Sequence, residues 1–239
     1  MCIRDRVERQ GQHVGVFFDQ HPDIFDSYNA VLAATEYSLV TTKAARNVIK
    51  RRAKFLSLPL STNNGQSMLT FDFLKMDVKK SKLTAEVIMK YLKSSSRIQI
   101  KTDAGTDLTL MKRGRMPGFF NGVTADGGGF SSASIEVYIP VEECGTNGTM
   151  VIDGSLGYIG AAREDTRVVF KEGRIVEIEE TPTGKRLKEY MEGYHDSGIY
   201  VAGELGIGLN SYSQCAGRCY IEDESAYGTF LSLIHISEP

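Results

Sequence analysis

The sequence predicts an α/β amino-terminal part built on a parallel sheet, followed by a mostly β, α+β domain. Three observations predict it. Apolar runs alternate between short strand-like and longer helix-like stretches up to about residue 96. From Arg97 onward, short runs with period-two alternation follow one another, separated by glycine-rich turns such as "ADGGGF" and "EGR". The 239 residues, at 41% hydrophobic and 24% charged, match an ordinary globular chain of one large or two average domains.

In order, "HVGVFF" (His13–Phe18) reads as a buried strand and "DIFDSYNAVLAAT" (Asp23–Thr35) as a helix. Pro22 stands at that helix's approach, and Ile24, Tyr28, Val31 and Leu32 fall at helical spacing. "YSLV" reads as a short strand, Thr42–Ala53 as a helix with Thr42 as N-cap, and "KFLSLPL" as a strand. This βαβαβ rhythm implies a parallel layer. A helix over Lys82–Lys93 sets Leu83, Val87, Tyr91 and Leu92 on one side. Beyond it, "RIQIKT", "DLTLM", "SIEVYIP", "GTMVIDGS", "RVVFKEG", "RIVEIEE" and "YVAGELGIG" read as strands, interrupted by the helix "KRLKEYMEGY". The expected division is an α/β domain over 7–96 and a β-rich domain over 97–230.

The termini read differently. "MCIRDR" (Met1–Arg6) and "LSLIHI" (Leu231–Ile236) can be encoded by one DNA element read in opposite directions. The pair resembles a transposon end used in sequencing libraries. Residues 1–6 and 231–239 are therefore expected to be adapter-derived, and the fold to be truncated at both ends. Their apolar part could still pair with an open sheet edge.

A net charge of −2 gives no support for nucleic-acid binding, and the sequence contains no long apolar run for a membrane span. Cys144, Cys215 and Cys219 lack a disulfide spacing and read as free thiols, pointing to a reducing, cytoplasmic setting. A zinc site at Cys215 and Cys219 is disfavoured because no second Cys/His pair accompanies them. His13, His21 and His195 form no metal-binding pattern.

Two carboxylates stand out on apolar strands: Glu136 in "SIEVYIP" and Glu204 in "VAGELGIGLN". Glu204 is flanked by Gly203, Gly206 and Gly208, which allow close approach of backbone or ligand. A carboxylate in such a setting needs a metal, an arginine or backbone donors. A cross-strand salt bridge or a solvated face is the plainer alternative. The acidic cluster Glu222, Asp223 and Glu224 reads as a solvated loop beside a turn.

The strings "AGELGIGLN…EDESAYGTF", "SIEVYIP…GTNGTMVIDGS", "KTDAGTDLTL" and "SLVTTKAARNVIKRRAKFLSLP" keep the order of motifs in the aminopeptidase T (thermophilic leucyl aminopeptidase) family, which this chain resembles over about 37–230. Ile135 and Thr41 depart from the family's usual Gly and His. The resemblance implies a metal-dependent hydrolase, a metalloaminopeptidase that removes amino-terminal residues from peptides, with the β-rich part as the catalytic domain. It implies two divalent ions, zinc, cobalt or similar, with Glu136 and Glu204 as carboxylate ligands and Glu204 bridging. The family's histidine after "GT" falls at Leu231, so this chain is expected to be inactive. A homodimer is the assembly it allows. The alternatives are a related branch, a non-haem iron dioxygenase that opens dihydroxypyridine rings, and a metal-free binding module.

Overall fold

The computed structural model describes residues 14–124, 130–132 and 134–234. His13 and the glycine-rich turn at 125–129 lie outside these. The fold is α+β, with one parallel sheet and two antiparallel ones. The chain divides into two compact units: residues 1–61 with 122–133, and residues 62–121 with 134–237. The boundary expected at Arg97 falls inside the second unit.

In the first unit, helix α1 (Val14–Gln20) occupies the stretch expected to be a strand. Strand β1 (Ala30–Thr35) occupies the end of the expected helix Asp23–Thr35, with turns over 22–27 before it. "YSLV" forms no strand. Helix α2 (Lys43–Lys50) begins where expected: Thr42 Oγ1 accepts the Ala45 N–H at 3.3 Å. Strand β2 (Lys54–Pro59) runs parallel to β1, pairing Ala30 with Lys54 through Thr35 with Pro59. A short strand from the second chain segment, Phe130–Ser132, extends this sheet beyond β2. Phe18, Ala33, Leu39, Val48 and Phe55 form its core.

In the second unit, two 3-10 turns (Met68–Thr70 and Asp72–Lys75) precede helix α3 (Val78–Ser94), capped by Asp77, whose Oδ1 accepts the Lys80 N–H at 3.0 Å. Strands β3 (Arg97–Lys101), β4 (Asp107–Met111) and β5 (Gly118–Asn121) follow. With Phe130–Ser132 counted as β6, next come β7 (Ile135–Pro140), β8 (Asn147–Ile152), β9 (Thr166–Lys171) and β10 (Arg174–Ile178). Helix α4 (Pro182–Glu192), β11 (Ala202–Gly208), helix α5 (Tyr220–Ser225) and β12 (Phe230–Ile234) complete the order. One antiparallel sheet has the order β10-β9-β8-β4-β3 and the other β12-β11-β7-β5. The β9–β10 turn has positive φ at Glu172 (50°) and Gly173 (80°), as a tight hairpin of this hand requires. A Cβ on Gly173 would lie 1.7 Å from the Glu143 carbonyl oxygen, so no other residue fits there.

The core of this unit is formed by Leu108, Leu110, Ile135, Val137, Ile139, Val168, Phe170 and Leu205. α3 turns Ala85 and Leu92 toward it, with Ile88 and Met89 partly buried. Leu83, Val87 and Tyr91, expected beside Leu92, are instead 66%, 56% and 71% exposed. Leu92 lies on the next row of the helix, which is the row that meets the sheet. β12 hydrogen-bonds along β11 from Ile207–Phe230 to Ala202–Ile234. A ladder is made by backbone groups, so an apolar segment can extend an open edge whatever its origin.

Candidate functional site

Strand β7 is buried on both faces. Ile135, Val137 and Ile139 point into the apolar core at 0% exposure, and Glu136, on the opposite face, is only 3% exposed. Register identifies that second face. Glu136 pairs with Phe120 on β5 and Gly208 on β11; Tyr138 pairs with Gly118 and Gly206; Pro140 pairs with Glu204. Directly opposed residues and alternate residues share a face. Glu136, Tyr138, Phe120 and Glu204 therefore line one side of the sheet, and at Gly208 that side is filled by the backbone after α5, where a Cβ would lie 2.1 Å from the Ala226 carbonyl oxygen. Tyr138 stacks on Phe120 with ring centroids 4.5 Å apart. Glu204 stands four positions along β11 from the residue opposite Glu136, a backbone offset of about 13 Å at the usual strand rise.

The third carboxylate was not anticipated. The segment read as a solvated loop is helix α5, and Glu222, Asp223 and Glu224 are all buried. Ser225 fastens the helix to β7: its Oγ accepts the Ile135 N–H at 3.0 Å and donates to the Ile221 carbonyl at 2.6 Å. Each acid has its own partners. The Arg218 guanidinium donates to both Glu222 carboxylate oxygens, at 2.5 and 2.6 Å. Asp223 Oδ1 accepts the Ala216 and Gly217 N–H groups at 3.0 and 2.9 Å, and Oδ2 accepts the Ser155 hydroxyl at 2.7 Å. Glu224 is hydrogen-bonded by the Tyr220 and Ser134 hydroxyls, and Tyr220 stacks on Tyr158 at 4.4 Å. The single Ser134 proton is shared: its Oγ also lies 3.3 Å from Glu136 Oε1, so this hydroxyl links Glu224 to Glu136. Glu136 Oε2 is buried with no hydrogen-bond partner among the described residues.

Burial raises the pKa of four of the carboxyls. It pushes Glu204 up to about 7 and Glu224 up to about 8. Glu136 is raised well above the usual range, first by burial and then by the charges of Glu224 and Glu204. Asp223 is raised to about 6 by burial, against the pull of its hydrogen bonds. The site can therefore accept and return protons near neutrality beside a stacked aromatic pair.

The other candidates lie elsewhere. His21 is exposed in the first unit, against Phe17. His195 follows α4 with φ of 53° and lines a surface depression with Met191, Glu192 and Tyr200. Cys144, Cys215 and Cys219 are free thiols, and burial pushes Cys215 up to about 11. Only the string "EDE" followed by Ser225, within the motif order already noted, marked α5 in the sequence. Acidic clusters ordinarily face water, and that hid it.

Two solved structures share this fold. The structure of 2,5-dihydroxypyridine dioxygenase from Pseudomonas putida KT2440 superposes with a TM-score of 0.70 at 16% identity, covering 90% of this chain and 62% of that one. Wild-type AmpT from Thermus thermophilus gives 0.57 at 15% identity, covering 91% of this chain and 66% of that one. The chain thus spans about two thirds of the length of either. No curated protein sequence matches it. The family profile described as "NicX: 2,5-dihydroxypyridine 5,6-dioxygenase" matches residues 66–230, and the chain belongs to that family.

This overturns the aminopeptidase expectation and, with it, the hydrolase activity and the peptide substrate. The motif order read as aminopeptidase T belongs to a fold common to both groups, so it identified the fold and not the reaction. The expected pair of zinc or cobalt ions is likewise unsupported. Among the described residues no group of three or more His, Cys, Asp or Glu is placed to hold a metal. The family typically depends on iron. A mononuclear iron centre of the facial-triad type needs two imidazoles beside a carboxylate. Neither described histidine joins the carboxylates, so these residues do not fit the ion by themselves.

Proposed function

We propose that this chain is part of a dioxygenase that opens the ring of a dihydroxypyridine. The profile match over 66–230 carries the reading, because it contains every member of the buried carboxylate set. In this reading the face bearing Phe120 and Tyr138 receives the flat ring. Glu204 and Glu224, which exchange protons near neutrality, take the proton from a ring hydroxyl and return it as the ring opens. Ser134 and the Tyr220 hydroxyl hold Glu224 in place. No step is assigned to iron.

A cytoplasmic setting is part of the proposal, supported by the three free thiols. No helix among the described residues is long and apolar enough to cross a membrane.

The test is turnover by the gene product at the length of its relatives, supplied with ferrous iron and 2,5-dihydroxypyridine. An oxygen electrode should record one O2 consumed per ring lost from the absorbance spectrum. Release of p-nitroaniline from leucine p-nitroanilide without oxygen uptake would overturn the reading.

A further inference from the structure

The outer side of α3 combines two features that nothing in the carboxylate site uses. Leu83, Val87 and Tyr91 recur every fourth residue and are 66%, 56% and 71% exposed. Such a row is a ridge of the kind that fits a groove on a second helix. Five exposed lysines accompany it: Lys80 in line with the row, and Lys79, Lys82, Lys90 and Lys93 along one flank, with one exposed glutamate, Glu86, among them. None of the five lysines is ion-paired among the described residues. A shallow depression lined by Glu86, Met89, Lys90, Lys93 and Ser94 follows the basic flank. The helix is long enough for such a contact, at about 25 Å for its 17 residues.

We propose that this face of α3 docks an acidic amphipathic helix of a partner protein. The apolar ridge seats against the partner's apolar row, and the lysines of the basic flank meet carboxylates beside that row. Charge selects the occupant. In a two-fold pair of this chain the same face meets itself, which would set five lysines against five. An interfacial membrane helix needs a broad apolar face, whereas this one offers a single row. One helix face falls below the roughly 800 Å² per partner of a stable complex, so the contact is transient and sensitive to salt.

The probe is a fluorescein-labelled helical peptide of about 20 residues, with leucine at every fourth position and glutamates on both sides. Fluorescence anisotropy in about 50 mM salt should show saturable binding to the purified chain. Binding should weaken about tenfold or more at about 300 mM salt. It should weaken similarly in a Leu83→Ser, Val87→Ser, Tyr91→Ser variant whose circular dichroism is unchanged, and for a scrambled peptide of the same composition. Equal binding of the scrambled peptide, or no effect of the triple variant, overturns the proposal. So does an absence of peptide binding, whether the chain instead self-associates through this face in light scattering, sediments with phosphatidylserine vesicles, or does neither.

Discussion

Helix α5 carries Glu222, Asp223 and Glu224 in succession, and all three are buried; helix α3 carries Leu83, Val87 and Tyr91 along one row, and all three are exposed. The difference lies in what each helix has to pack against. α5 brings a guanidinium, two backbone N–H groups and three hydroxyls to its acids, so their oxygens exchange water for other donors. α3 meets the sheet with the row that holds Ala85 and Leu92, and among the described residues no other element covers its outer side. Burial here follows the partners that the fold supplies, and residue type sets only the cost.

Five substitutions probe this contrast. Arg218→Ala should have the largest effect. It leaves Glu222, at 0% exposure, without its forked donor and removes the guanidinium from above the Phe71 ring. A loss of about 3 kcal/mol or more in urea unfolding is expected. An unchanged midpoint would mean that Glu222 finds water in solution.

Glu204→Gln tests the cost of the carboxylate face. A glutamate whose folded pKa is raised to about 7, from an unfolded value near 4.5, binds more protons folded than unfolded between those limits. Its presence therefore lowers stability as pH rises through that window. The variant should match the parent near pH 5 and exceed it near pH 8, by about 2 kcal/mol after discounting for partial exposure. Parallel unfolding curves at the two pH values check this. Equal stabilities at pH 8 would show that Glu204 is not desolvated.

Ser225→Ala removes the acceptor for the buried Ile135 N–H and should cost about 1–2 kcal/mol. Amide exchange at Ile135 should accelerate with it. Protection that is unchanged would separate α5 from the stability of β7. At the small end, Leu83→Ser and Tyr91→Ser should each shift the melting free energy by less than about 0.5 kcal/mol, as open surface positions do. A larger loss from either would mean that the α3 ridge is already covered within the chain.

Where the sequence was legible, local chemistry was sufficient. Every strand expected between Arg97 and Gly208 is present, because alternation and turn residues such as Gly173 act over a few positions. Thr42 marked the start of α2 for the same reason. The amino-terminal reversal, helix for strand at Val14–Gln20 and strand for helix at Ala30–Thr35, follows from short apolar runs that satisfy either period. "AVLAAT" becomes a strand because β2 offers it a parallel partner across six residues. The family's motif order fixed the fold while leaving hydrolysis and ring opening unseparated.

The sequence alone showed the succession of the strands named between Arg97 and Gly208, the Thr42 cap, and two of the carboxylates, Glu136 and Glu204, which a run of apolar neighbours makes conspicuous. Only the tertiary structure decided that Glu224 joins them, that Asp223 and Glu222 have donors of their own, and which row of α3 faces the sheet. The contacts that place α5 against the sheet come from segments far away in the chain: Ser155 reaches Asp223 across 68 positions, and Ser225 reaches Ile135 across 90. Spacing along a chain carries no record of such meetings, because they depend on where whole elements pack.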